Sequence, residues 1–172
     1  MDDNTKNELK GFIDNLKNVL IKELAYYDEV KKLEEEKKEK IATTTFYDIT
    51  TIGEKLEKVV ELALRCESQR QVLCNNICNI VNLPHQTSFK KIVAQIPEEW
   101  QIELNMYHKK LISTLERIQF LNETNSAIIL DNLKLINYTL NMMTGEQEMS
   151  ADYGDSIMNK YNPKPVIIST IV

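Results

Sequence analysis

WQIELNMYHKKLISTLERIQFLNETNSAIILDNLKLINYTLNMM, residues 100–143, is the stretch whose reading decides the fold. Trp100, Leu104, Tyr107, Leu111, Leu115, Ile118, Asn122, Asn125, Ile129, Leu133, Ile136, Leu140 and Met143 follow one another at steps of three or four, which places them on one face of an α-helix. A helix of about 45 residues spans ~65 Å. That is longer than a small domain is wide, so it has to lie along another long helix. Two asparagines, Asn122 and Asn125, interrupt the apolar seam at its middle. Beyond them only Asp131 and Lys134 are charged, and Ile128, Leu130, Leu135, Tyr138 and Met142 add apolar side chains away from the main stripe. One neighbouring helix does not cover all of that, so the far end is expected to need a cover from elsewhere.

Outward from this helix the chain is more of the same. Leu9, Phe12, Ile13, Leu16, Val19, Leu20, Leu24, Tyr27, Val30 and Leu33 hold a helical face, and residues 34–40 continue it as a Glu/Lys run with partners at helical spacing. The triplet Thr43, Thr44, Thr45 with Asp48 weakens helical propensity, so a break is expected there. Thr51 with Glu54 has the form of a capping box, which predicts a second helix from about residue 51 to Asn82, closed by Pro84. Ser88 or Thr87 is positioned to cap a short third helix that ends before Pro97, and Pro97 with Glu98 and Glu99 suits the first turn of the long one. Gly145 is a natural stop. Residues 146–172 hold Gly154, two prolines and a β-prone end without helical period, so a flexible tail that orders on binding is expected. The domain reading is a helical bundle over 1–145 and a tail over 146–172.

Composition narrows the function classes. Only 4 Gly and 4 Pro in 172 residues leave few places to break a helix, and a net charge of −5 carries no electrostatic footprint for nucleic acid. No apolar run is long enough for membrane insertion, and the opening MDDNTKNELK lacks the features of a secretory signal, so a cytoplasmic location is expected. Cys66, Cys74 and Cys78 cluster on one helix and read as small buried thiols, although with His85 they could also be set around a zinc ion. His108 lies beside the seam, where an exposed or half-buried imidazole is expected. A phosphotransfer bundle could use it, but the residues after it lack the pattern such a bundle needs. Glycine-rich phosphate loops, paired Glu-x-x-His motifs and an activated nucleophile are all missing. The chain is read as a non-enzyme without cofactor or metal. Asn122 and Asn125 leave two possibilities: amides that set helix register, or the border of a groove that offers donors and acceptors to another chain.

These residues resemble the FlgN family of flagellar export chaperones. The resemblance rests on Asn122-x-x-Asn125, the apolar 128–130 with Leu133, the stripe to Met143 and Tyr153-Gly154 in the tail, together with Glu67-x-x-Arg70 and the short helix ending at Pro97. It implies a chaperone of type III export that holds the hook-filament junction proteins FlgK and FlgL. By carry-over, Asn122, Asn125, Ile129, Leu133, Ile136, Leu140 and Met143 form the candidate client face, and Tyr153 and Gly154 the contact with the export apparatus. The expected architecture is all-α: an elongated antiparallel helical bundle or coiled coil with a C-terminal tail, open to homodimer formation. The alternatives are a structural coiled-coil adaptor forming a permanent dimer and a phosphotransfer bundle.

Overall fold

The computed structural model describes residues 3–43 and 46–144. They form α1 (Asp3–Thr43), α2 (Phe46–Ile80), α3 (Phe89–Gln95) and α4 (Glu98–Thr144), with no strand among the described residues. The expected all-α bundle is the architecture observed. The chain runs up α1, down α2, crosses at α3 and returns up α4. Ion pairs fix the direction of the return: Lys6 with Glu99 at 3.9 Å, Lys17 with Glu103 at 2.6 Å and Glu35 with Arg117 at 3.5 Å ascend both helices together. The tail with Gly145, Tyr153 and Gly154 lies outside the described residues.

α1, rather than α4, is the central helix, because α2 and α4 both make their close backbone approaches to it. Its buried residues show why. Leu9, Ile13, Leu16, Leu20, Glu23, Tyr27 and Val30 alternate steps of four and three, the 3.5-residue repeat that keeps a seam facing its neighbour along a coiled coil. On α2 the matching line is Ile52, Leu56, Ala63, Glu67, Arg70, Cys74 and Ile77.

Three expectations need correction at the helix ends. α2 starts at Phe46, not near Thr51. Asp48 in its first turn favours the positive end of the helix, and burial of Ile52 and Leu56 holds the turns that follow. The same helix stops through Asn82 rather than Pro84. Asn82 adopts the left-handed conformation (φ 57°), Leu83 N–H donates to the Cys78 carbonyl at 2.8 Å, and so the last carbonyls are satisfied before proline is reached. Ser88 is the N-cap of α3 by position, yet its hydroxyl makes no capping bond; its carbonyl accepts from Lys91 and Ile92, while the Thr87 hydroxyl donates to the Pro84 carbonyl at 2.7 Å. Ile96 is extended ahead of Pro97 as expected.

The seam of α4 also shifts by one position at two points. His108, not Tyr107, is buried, and Leu121 is buried beside a half-buried Asn122. His108 is therefore not the exposed or half-exposed group expected. Its ring stacks on Phe89 of α3 at 4.8 Å, nearly parallel, beside Ile92 and Val93, through which the short crossover helix enters the core.

Candidate functional site

The position of the site follows from helix lengths. Asn125 of α4 stands opposite Glu34 of α1, so α1, ending at Thr43, stops with α4 still extending roughly ten residues, or ~15 Å, further. Burial follows that boundary. Leu104, Leu111, Leu115, Ile118, Leu121 and Asn125 are buried, Ile128, Ile129, Leu130 and Leu133 are half-buried, and every residue from Lys134 to Met143 is exposed. Within this end Ile136 is 53 % exposed, Leu140 52 % and Met143 79 %. These three continue the line of Leu111, Leu115 and Ile118, which α1 covers lower down. The face is thus a seam that outruns its partner, and a run of apolar side chains this open is costly unless something covers it.

Asn125 is the border of that face and belongs to the interior. Its Nδ2 donates to the Glu34 backbone carbonyl at 2.9 Å and to Glu34 Oε2 at 2.7 Å, while its Oδ1 is buried with no hydrogen-bond partner. Of the two readings of the asparagine pair, the register role fits Asn125, whose amide is taken up by α1. Asn122 stays half-buried. The structure therefore brings Ile129, Leu133, Ile136, Leu140 and Met143 together on one side of α4, sets Asn122 beside the seam below them and places Asn125 inside it. Leu135, Tyr138 and Met142, which the stripe analysis set apart, are equally open on another side. Asp131 and Lys134 pair with each other at 3.2 Å, so the region has no uncompensated charge among its described side chains.

A second polar group sits in mid-bundle. Glu23 of α1 is fully buried, and Arg70 Nε of α2 donates to its Oε2 at 2.9 Å and its Oε1 at 3.3 Å. Glu67 lies 3.7 Å from the same guanidinium, whose Nη2 makes no hydrogen bond. Burial raises the Glu23 carboxyl above its usual range, with Arg70 pulling against it. Glu23 escaped the sequence reading because it is charged, although it falls on the heptad step between Leu20 and Tyr27.

The groups that catalysis would need are not set up for it. Burial pushes the Cys74 thiol up to about 11 and raises Cys66 and Cys78 as well, the opposite of what a nucleophile requires. His108 is shielded on all but 4 % of its surface, and burial first, then Lys90 and Arg70, holds its imidazole below the usual value. That leaves little access for a phosphoryl donor. His85 is engaged by Asn79 Oδ1 at 2.7 Å, and the described residues bring no three His, Cys, Asp or Glu side chains into a metal-holding group. No helix among them is long and apolar enough to cross a membrane.

The family described as FlgN protein matches residues 12–160, which takes in all of α2, α3 and α4 and most of α1. No curated protein and no solved structure matches the chain. The match spans most of the 172 residues and includes both the half-open α4 and the buried Glu67-x-x-Arg70. The chain belongs to the FlgN family, a family of flagellar export chaperones.

Proposed function

We propose that this protein is a cytoplasmic type III export chaperone that holds the hook-filament junction proteins FlgK and FlgL through the apolar face of α4 beyond Asn125. One observation carries the reading: the seam that is at least half-buried as far as Leu133 continues as exposed Ile136, Leu140 and Met143. An amphipathic client helix laid along it would take the place of a longer α1, burying its own apolar stripe in the way helix-in-groove recognition works. Release and handover would then fall to the export apparatus, with Tyr153 and Gly154 of the tail as the contact.

Charge placed on this face separates binding from folding. Leu133→Asp with Ile136→Asp is expected to weaken client binding at least tenfold in titration calorimetry while the fold is kept and the melting temperature falls by only about 5 °C, since Ile136 is exposed and Leu133 is only half-buried. Equal binding by the folded double variant would refute the assigned face. Tyr153→Ala is expected to leave client affinity unchanged and to reduce capture by the export gate. A chain that is dimeric with and without client, and that never releases it, would favour the adaptor reading instead.

A further inference from the structure

The lower half of the proposed client face is covered by the part of α1 least suited to cover it. The buried line of α1 that runs from Leu9 to Val30 continues, at the same steps of four and three, as Glu34, Lys37 and Ile41. Every residue from Glu34 to Lys40 is charged, so the line turns polar there. Opposite it α4 stays apolar. The two helices ascend together and Asn125 bonds to Glu34, which sets Ile128, Ile129, Leu130 and Leu133 level with residues 37–42 of α1. The continuous core ends below this level, with Leu33 its last member on α1 and Ile118 its last on α4, whereas on α2 it continues to Ile52 near the turn that joins α1 to α2. The tip of the α1–α2 hairpin is thus held within itself by apolar packing and to α4 by polar groups. Lys37 Nζ lies 3.8 Å from Glu34 Oε2, with only 13 % and 8 % of the two side chains exposed, and the Asn125 amide that donates to Glu34 leaves its Oδ1 buried without a partner. Desolvation offsets most of the attraction in a buried ion pair, and an orphaned carbonyl is a cost. A charged tip over an apolar stripe sets the pattern of one helix against that of its neighbour, a conflict that native chains keep chiefly where function uses it.

We infer that the tip of the α1–α2 hairpin, from Glu34 onward, is a displaceable cover, which the client lifts in order to dock on α4 down to Asn125. The inference rests on the client-holding reading above and extends its surface by roughly two helical turns, from Leu133 down to Asn125. The docking side of the client is then an apolar helical stripe that carries one hydrogen-bond donor at the level of Asn125, where Oδ1 lacks one. Once lifted, the tip loses little to water. Its charged side chains are solvated, and Ile41 is the one apolar member of the line beyond Val30. Tip and client compete for the same stripe, so the apparent affinity for client depends on how firmly the tip is held.

The test uses the full chain and purified full-length FlgL in titration calorimetry, with circular dichroism confirming that each variant folds. Ile41→Asp loosens the tip without altering α4 and is expected to tighten FlgL binding at least about fivefold. Lys37→Met removes the charge but keeps the length of the side chain, so that the tip matches the stripe beneath it; FlgL binding is expected to weaken by about the same factor. Nitroxide labels at the exposed positions Glu39→Cys and Glu123→Cys follow the movement by pulsed electron paramagnetic resonance, while the native Cys66, Cys74 and Cys78 stay buried. A client helix in place of the tip is expected to lengthen the label separation by roughly 8–10 Å, one helix-to-helix spacing. A longer separation together with either affinity change supports the inference. An unchanged separation with FlgL bound overturns it, as do wild-type affinities in both variants; the client then sits on the open end alone and the client-holding reading survives. If FlgL does not bind the wild-type chain at all, that reading fails and takes this inference with it.

Discussion

Three buried polar residues carry the main risk and the main specificity at the scale of single side chains. Glu23 and Arg70 face each other across α1 and α2 with essentially no water, so removing one partner strands the other. Arg70→Met is expected to cost about 3–5 kcal/mol in urea unfolding, and adding Glu23→Leu should recover a good part of it, because a buried pair replaced as a whole is often close to neutral. His108 supplies a pH signature. Its folded-state pKa is depressed below the ordinary value near 6.5, so its stabilising effect is complete above that value and is lost as pH falls through the lower folded value. Glu23 acts in the opposite sense: its raised pKa makes acidification favourable to the fold as pH falls toward the carboxylate range. Urea midpoints between pH 7.5 and 5 for the wild type and for His108→Phe, which keeps the stack on Phe89, should therefore differ most at the acid end, with the wild type losing more. The sequence marked Asn125 as an amide that could set register and Glu67-x-x-Arg70 as a motif, but it gave none of these groups its partner. Glu23, Arg70 and Asn125 fall on the heptad positions of their helices, but whether a polar group at such a position turns inward depends on a partner on another helix, and the nearest of these partners is 47 residues away.

The elements show the same division within one helix. Leu104 and Leu140 lie on the same line of α4, yet Leu104 is buried against α1 and Leu140 lies past the level at which α1 ends. Leu104→Ala is expected to cost about 2–5 kcal/mol, through lost burial and the cavity it leaves. Leu140→Ala should stay within about 0.5 kcal/mol in the client-free chain. Chemical denaturation of the two variants side by side checks the boundary. Helix existence was legible because the 3.5-residue repeat runs almost unbroken along α1 and α4. Helix ends were less so: a capping box at Thr51 has the right local form, yet α2 already begins at Phe46 with Asp48 in its first turn.

At the scale of the molecule, the described residues close a core of their own among α1, α2, α3 and α4, reaching from Leu9 to Ile118. A chain ending at Gly145 is therefore expected to keep its helical circular dichroism and its melting temperature; a large loss of either would place the tail within the core. The amino-acid sequence by itself determined that the protein is a bundle of long helices, which side of each helix is apolar, and that the end of α4 is poor in charge. Those properties follow from local spacing and composition, which any stretch of chain displays without reference to another. Only the tertiary structure decided that α1 is the shared neighbour, that the Asn125 amide bonds to Glu34 and that cover ends about ten residues short of the end of α4. These depend on the relative lengths and register of helices some ninety residues apart, and a periodic pattern specifies which face seeks a neighbour without specifying how far that neighbour reaches.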